Sequence, residues 1–458
     1  MVAALRRPAR AVLPSRSLPM NTPSLPPFVS GMSRRRFLQS SAALSSLPIL
    51  SSLTPAFAAS NNDRLRIGLV GCGGRGMGAL RDCLAADPSV QVRAIGDIFP
   101  DRVDAAYKQI KEGRPEGNNP ITPVAASQMD VTPERCFSGF DAYKGVINSG
   151  IDLVLLVTPP GFRPLHLQAA LDANLHVFME KPVAVDVAGV RKMIELAKVA
   201  EAKKRSVVAG TQRRHANNYL EAMKRIHDGA IGELVGGQCY WMQQGLWHRG
   251  RDPQWTEMEY QIRNWLYFTW LSGDHIVEQH IHNIDVMNWA FGGAPVKATG
   301  MGGRQSRTDP KYGDAFDHFA IEYEYANGAR VQSFCRQVVG ASSRVSERIV
   351  GTKGVSDPSR NIEGANPWTF AGEPVNSFRQ EHVDLVRSIR EGNPINHTQR
   401  IAESTLTAIM GRVSAYTGRE VSFNWLLNAS QLDLTPSAYA FGDAPAVKVP
   451  VPGETPLV

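Results

Sequence analysis

The sequence predicts an α/β protein in which a parallel-sheet half is followed by a half containing antiparallel strands. Three observations carry this. Short apolar runs alternate with helical patterns from residue 65 to 179, and parallel strands need such crossovers. A glycine-rich turn joins the first run to the first helical pattern. Further on, residues 316–325 and 329–338 flank Asn327-Gly328, which reads as a hairpin with a type I′ turn.

Taken in order, LRIGLV at 65–70 is a short apolar run ending in glycine, as a buried parallel strand should. Gly71-Cys72-Gly73-Gly74-Arg75-Gly76 follows, then a helical pattern over 77–84. In such a G-x-G-x-x-G turn the first glycine makes the bend, the second admits a pyrophosphate, and the third lets helix and strand pack closely. The phosphates then meet free N–H groups at a helix start. A second strand at 90–95 leads to Asp97. A carboxylate there accepts hydrogen bonds from ribose hydroxyls and repels a 2′-phosphate, so NAD is favoured over NADP, with Arg75 able to soften that preference. Strands at 151–157 and 175–179, with helices at 141–148 and 165–173, continue a Rossmann-type half. Thr158-Pro159-Pro160 and Glu180-Lys181-Pro182 close the last two strands, where ligands of open α/β sheets bind.

Strand, glycine turn, Asp97, Thr158-Pro159, His166 and Glu180-Lys181-Pro182 in this order resemble the glucose–fructose oxidoreductase/inositol dehydrogenase (Gfo/Idh/MocA) family. The resemblance runs from about residue 64 to 421. It implies a Rossmann domain followed by an α/β domain with a large, mostly antiparallel sheet. It also implies that Lys181 lies beside the nicotinamide and the reacting hydroxyl. The cofactor-binding set is then Gly71, Gly73, Gly74, Arg75, Gly76, Asp97, Thr158, Pro159, His166, Glu180 and Lys181. The family's next signature, Asp-x-x-x-His-x-x-Asp on a helix, corresponds to Glu278 through Asp285 here, with His282 at the catalytic histidine. Glu278 stands where aspartate is usual, and His280 where glycine is common. The catalytic set is Lys181, His282 and Glu278.

The residues themselves support that chemistry. Spacings of three, four and three place His275, Glu278, His282 and Asp285 on one helical face. A neutral imidazole is a suitable base for a hydroxyl proton. A nearby lysine stabilises a developing alkoxide and depresses the histidine pKa. Glu278 and His282 also have the types and spacing of a metal pair, but His280 points elsewhere and no metal is predicted.

After a linking helix at 187–202, a strand at 206–209 leads into Gly210-Thr211-Gln212-Arg213-Arg214-His215, a donor-rich loop suited to hydroxyls or a carboxylate. A strand at 235–243 precedes a segment holding most of the chain's tryptophans, and helices are expected at 380–391 and 401–417. Aromatic plates with nearby donors suit sugar rings; an ordinary aromatic core is the equal alternative. Arg213, His215, Trp247, His248, Arg263 and His280 are the candidate substrate contacts. The resemblance also implies that the sheet of the second domain builds subunit contacts, making a homo-oligomer.

Composition narrows the class. The net charge of +7 arises in residues 1–58, which hold seven arginines, no lysine and no acid. The remainder is neutral overall, which excludes a nucleic-acid binder. Five cysteines without a C-x-x-C pair give no disulfide framework or zinc ribbon. Ser33-Arg34-Arg35-Arg36-Phe37-Leu38, an uncharged serine-rich apolar stretch and Ala56-Phe57-Ala58 read as a twin-arginine (Tat) signal with its cleavage site. Met32 is a natural initiator. The expected organisation is a leader at 1–58, an NAD-binding domain at 59–185, a substrate and oligomerisation domain at 186–430, and a tail at 431–458. Its partners are the Tat export machinery and a small carbohydrate, in the periplasm. Such an enzyme carries its cofactor with it. The expected function is NAD-dependent oxidation of a sugar, polyol or glycoside hydroxyl; the alternative is redox-neutral glycoside hydrolysis through transient oxidation and elimination. A non-catalytic sensor on this fold is disfavoured by Lys181 and His282.

Overall fold

The computed structural model describes residues 64–114 and 121–458; the residues read as an export signal and cleavage site lie outside them. The first half alternates strand and helix: β1 (Leu65–Val70), α1 (Gly74–Ala86), β2 (Val90–Asp97), α2 (Pro100–Glu112), β3 (Cys136–Ser138), α3 (Ala142–Ile147), β4 (Leu153–Leu156), α4 (Arg163–Asp172), β5 (His176–Met179), α5 (Val187–Ala202) and β6 (Val207–Ala209). All six strands pair in parallel in the order β3-β2-β1-β4-β5-β6. Order reverses on either side of β1, and this switch point opens a crevice at the strand ends. Both faces are covered by helices, so the strands read as continuous apolar runs.

This corrects one expected boundary. The helix read as a linker is the crossover α5, and the strand after it, β6, completes the parallel sheet rather than opening the second domain. Asp186 caps α5 by accepting from Gly189 N at 2.7 Å.

The second half comprises α6 (Asn217–His227), β7 (Leu234–Gln243), α7 (Glu257–Arg263), α8 (Thr269–Ser272), α9 (His275–Glu278), α10 (Ile281–Phe291), β8 (Lys297–Gly303), β9 (His318–Glu324), β10 (Arg330–Gln337), β11 (Arg344–Gly351), β12 (Gly354–Asp357), β13 (Asn361–Gly364), β14 (Trp368–Thr369), α11 (Ser377–Arg390), α12 (Thr398–Thr417), β15 (Val421–Ser422) and α13 (Phe423–Asn428). Nine strands form one sheet, β14-β13-β12-β11-β7-β10-β9-β8-β15. It is antiparallel except where β10 lies parallel to β7.

The expected hairpin is β9–β10, but its turn differs. Gly328 N donates to Tyr325 O, and positive φ falls on Gly328 (+82°) but not on Asn327. That is a type I turn closed by a glycine bulge, not a type I′ turn, which needs two left-handed residues.

Helices α10 and α12 cover one face of this sheet. Nearly every residue of α12 is buried, because it also packs on α5 of the parallel domain and so joins the two sheets. The opposite sheet face carries the row Met301, Ala320, Phe334 and Tyr240, with Arg344 3.5 Å over the Tyr240 ring.

Residues 431–458 are not a loose tail. Leu434 N donates to Asp186 Oδ2 at 2.7 Å, and Ser430 Oγ to Val458 O at 2.6 Å. Phe441 sits 5.0 Å from Phe140 and 6.2 Å from Phe99, and Tyr439 5.5 Å from Phe162. Met258 N donates to Gly442 O. The segment therefore straps loops of the parallel domain to α7.

Candidate functional site

A cavity of about 660 Å³ opens at the C-terminal ends of β1, β2, β4 and β5 and is closed by the segment preceding α10, within the size range of small-molecule sites. The glycine turn forms its floor. Gly71 has φ +101°, a region that favours glycine, and a Cβ there would lie 2.6 Å from Val157 O. A Cβ on Gly76 would meet Gly71 O at 1.8 Å, so only hydrogen allows α1 to start this close to β1. Gly73 and Gly74 face open space. The residues present fit a dinucleotide: free N–H groups at the start of α1, open backbone at Gly73, and Asp97 at the end of β2. Asp97 accepts from Cys72 N at 2.7 Å and Phe99 N at 3.1 Å, tying the two loops together. Burial raises its pKa, opposed chiefly by Arg102.

Thr158, Pro159 and His166 line the wall beyond β4. His166 Nδ1 lies 3.2 Å from Thr158 Oγ1, and its ring packs on Tyr143 and Phe162. Burial, aided by Arg163, pushes its pKa down to about 3, so it is a neutral wall residue. The buried Arg163 donates to the carbonyls of Leu156, Thr158 and Pro182, joining the ends of β4 and β5.

At the end of β5 the side chains converge. Lys181, whose bond to Pro182 is cis, donates from Nζ to Glu278 O at 2.5 Å and Glu278 Oε1 at 2.8 Å. Glu278 and His282 both line the cavity. The His282 ring stacks on Trp241 at 5.7 Å. Burial first, then the charge of Lys181, holds its pKa well below the ordinary histidine value. It is therefore a neutral base facing a cation, an arrangement that can take a hydroxyl proton and stabilise an oxyanion. Arg75 leaves the glycine turn to meet Glu180 Oε1 at 2.6 Å and Glu381 Oε1 at 3.4 Å, and lies 5.0 Å over Phe378. Burial and neighbouring Glu180 hold Glu381 well above the usual carboxylate range.

His275, Glu278, His282 and Asp285 do not share one helical face. The helix breaks at Gln279-His280 into α9 and α10. Only Glu278 and His282 of the four residues reach the cavity. His275 Nδ1 meets Asp274 at 3.0 Å, and Asp285 meets Arg214 and Ser404.

Of the candidate substrate contacts, Trp247 lines the cavity. Five are placed elsewhere, each engaged by a partner within the protein. Arg213 pairs with Glu347 at 2.5 Å; His215 Nδ1 meets Asp384 at 2.6 Å. Arg263 pairs with Asp101 and Glu259; His280 is fully buried with Nε2 2.7 Å from Ser333 Oγ. His248 turns to Tyr260 OH at 3.1 Å. The chain at 244–250 belongs to no helix or strand, and Trp247 and Arg249 face the cavity while His248 between them does not. Gln212, Trp241, Trp265, Arg102 and Phe378 also line it. Trp265 falls in the tryptophan-rich segment legible in the sequence and Trp241 at the end of the strand before it; nothing local marks Arg102 or Phe378.

Comparison with known proteins agrees with this geometry. Residues 65–210 match the family model for the oxidoreductase family with NAD-binding Rossmann fold, and residues 219–356 match the GFO/IDH/MocA C-terminal domain. The chain is 29% identical over 230 residues to the inositol 2-dehydrogenase of Salmonella typhimurium, covering 49% of this chain and 54% of that protein. It is 23% identical over 368 residues to a glycosyl hydrolase family 109 protein of Shewanella pealeana, covering 75% and 74%. The chain spans about half the length of the first curated relatives it matches. In fold it is similar to scyllo-inositol dehydrogenase from Lactobacillus casei with bound NAD(H) and scyllo-inositol, with TM-score 0.58 and 18% identity over 79% of this chain and 99% of that one. Two matched domains of one family, in its order and spanning more than half of the sequence, show that this chain belongs to the Gfo/Idh/MocA oxidoreductase family.

Proposed function

We propose that the protein oxidises a hydroxyl of a sugar, polyol or glycoside with a nicotinamide dinucleotide. The observation that carries this is the convergence of Lys181, Glu278 and His282 on the cavity that the glycine turn and Asp97 also line. When bound, the nicotinamide supplies the hydride acceptor at C4. The hydride leaves the substrate carbon with the C–H electron pair, His282 takes the hydroxyl proton, and the carbon–oxygen bond becomes a carbonyl. Lys181 stabilises the oxygen as charge develops, and Glu278 holds the ammonium in place. Trp241, Trp247 and Trp265 offer apolar faces to a ring whose hydroxyls reach Gln212.

The similarity over three-quarters of the chain to a glycosyl hydrolase family 109 protein favours a second reading. There the same oxidation is transient: elimination expels the glycosidic substituent, water adds, and the hydride returns. Turnover separates the two. Sustained formation of the reduced nucleotide from polyols or free sugars supports the dehydrogenase. Release of sugar from a glycoside without it supports the hydrolase. Failure of both, with no nucleotide bound, removes the proposal.

Export in folded form, tight retention of the cofactor and self-association belong to the same reading. The open sheet row through Tyr240 and Phe334 is where a second copy would pack. Native mass spectrometry of protein recovered separately from the periplasmic and cytoplasmic fractions, with no cofactor added, reads all three. The expected species is an oligomer with one nucleotide per chain; a nucleotide-free monomer confined to the cytoplasm would overturn them.

A further inference from the structure

The ring of His282 forms no hydrogen bond among the described residues. A catalytic imidazole is ordinarily aimed by a third group bonded to its second nitrogen. Here the ring is held by its stack on Trp241, with centroids 5.7 Å apart and planes 25° from parallel. The aim of the base therefore depends on what fixes Trp241.

Trp241 Nε1 donates to Gln243 Oε1 at 2.6 Å, and the Arg213 guanidinium lies 6.0 Å from the ring centre. Arg213 in turn donates from Nη1 to Glu347 Oε1 at 2.5 Å. The same oxygen accepts from Asn283 Nδ2 at 2.5 Å, and Oε2 accepts from Tyr219 OH at 3.1 Å. Asn283 follows His282 in α10. Glu347 thus reaches the base by two routes: through Arg213 to the tryptophan plate, and through Asn283 to the turn that carries the imidazole. The sheet sets this up. Strand β11 places Val345 opposite Trp241 and Glu347 opposite Cys239, so Glu347 and Trp241 share one sheet face. Glu347 is buried and is not part of the cavity wall. An apolar residue could pack there at no greater cost, but it could not hold Arg213 and Asn283 together.

The charge of Glu347 matters as well as its hydrogen bonds. After burial, His282 is held neutral by Lys181 at the end of β5, Arg213 in the turn after β6, Arg75 in α1 and His280 beside α10. Glu278 of α9, the carboxylate beside it in the cavity, is engaged by Lys181. Glu347 offsets the charge of Arg213, and so sets how much of it the base feels.

We propose that Glu347 is a positioning residue for the His282 base, acting through Arg213 and Asn283 to fix the Trp241 stack and the turn that carries the imidazole. This rests on the reading of His282 as the base.

The test compares Glu347→Gln and Arg213→Gln in the full chain. The first readout is single-turnover hydride transfer from myo-inositol or D-glucose, whichever the parent oxidises faster. Glu347→Gln should slow it by about ten- to a hundredfold, with KM and nucleotide affinity within about threefold of the parent. The acid limb of the pH profile gives opposite signs. Glu347→Gln leaves Arg213 uncompensated, lowers the His282 pKa and moves the limb to lower pH. Arg213→Gln removes a positive charge and moves it to higher pH. The second readout needs no substrate: the His282 Cε1–H resonance of histidine-labelled protein, assigned by its loss in His282→Gln, should lose its ring-current shift from Trp241 in Glu347→Gln. A parental rate with an unmoved resonance overturns the proposal. So do acid limbs that move in the same direction, or equal losses of rate and nucleotide affinity, which a purely structural role would give. If a single variant does not fold, Arg213→Met with Glu347→Leu replaces the buried pair by apolar groups. It should fold, keep the acid limb near its parental position and still lose rate and ring-current shift; a parental rate overturns the proposal again. If the parent transfers no hydride, the reading of His282 as base falls, while the resonance still tests the stack.

Discussion

Lys181→Met is expected to lower the rate of hydride transfer by about a hundred- to a thousandfold while leaving nucleotide affinity within a few-fold of the parent. The ammonium touches Glu278 and faces His282, so its loss removes charge where the substrate oxygen becomes negative. Single-turnover absorbance at saturating substrate reads this directly. The pH profile gives an independent sign. His282 works as a base when neutral, and in the parent it stays neutral well below the ordinary histidine value, in part because Lys181 is positive. Removing that charge raises the His282 pKa, so the acid limb of kcat/KM should move to higher pH. A variant with parental kcat, or an acid limb that moves downward, would remove Lys181 from the mechanism. Glu278 loses its partner in this variant, so Lys181→Arg serves as the control that keeps the charge.

Two glycine substitutions should separate folding from nucleotide binding. In Gly76→Ala the new methyl would lie 1.8 Å from Gly71 O, a backbone atom that cannot rotate away. The start of α1 must then move off β1, and both thermal stability and nucleotide binding should collapse. Gly73→Ala meets nothing within 4 Å in the protein. Its fold should persist, with an unchanged melting temperature and loss of helix-dipole binding of the pyrophosphate by about a hundredfold or more, because the methyl occupies the approach of the phosphates. Differential scanning fluorimetry with and without nucleotide distinguishes them. A Gly73→Ala protein stabilised by nucleotide as strongly as the parent would mean that the phosphates do not lie on this turn.

The signals that survived translation into three dimensions are those whose placement follows from local strand and helix order. The glycine turn, Asp97 and the Glu180-Lys181 strand end follow from the alternation of strand and helix, which any parallel sheet imposes. Glu278 and His282 share a wall because i and i+4 stay neighbours across the short break between α9 and α10. The misplacements come from long-range pairing. Arg213 and His215 read as ligand donors because nothing nearby reveals Glu347 or Asp384, which engage them from far along the chain. The same holds for α5 and β6: only the strand order shows that they complete the first sheet. His248 differs for a local reason: its ring turns to Tyr260, twelve residues on, while its two neighbours line the cavity. Phe378 reaches the cavity from α11, beyond the residues matched by the C-terminal family model.

The strap at 431–458 bears on how the protein is made. Phe140 and Phe162, which line the cavity, are backed by Phe441 and Tyr439. Phe441 leaves the ribosome about 300 residues after Phe140, and contacts of such separation form late. During synthesis the parallel sheet can assemble with its nucleotide loops unbraced, and the cavity reaches its final shape only after most of the second domain has been translated. A nucleotide entering this cavity would then meet its finished wall only once Tyr439 and Phe441 have been made.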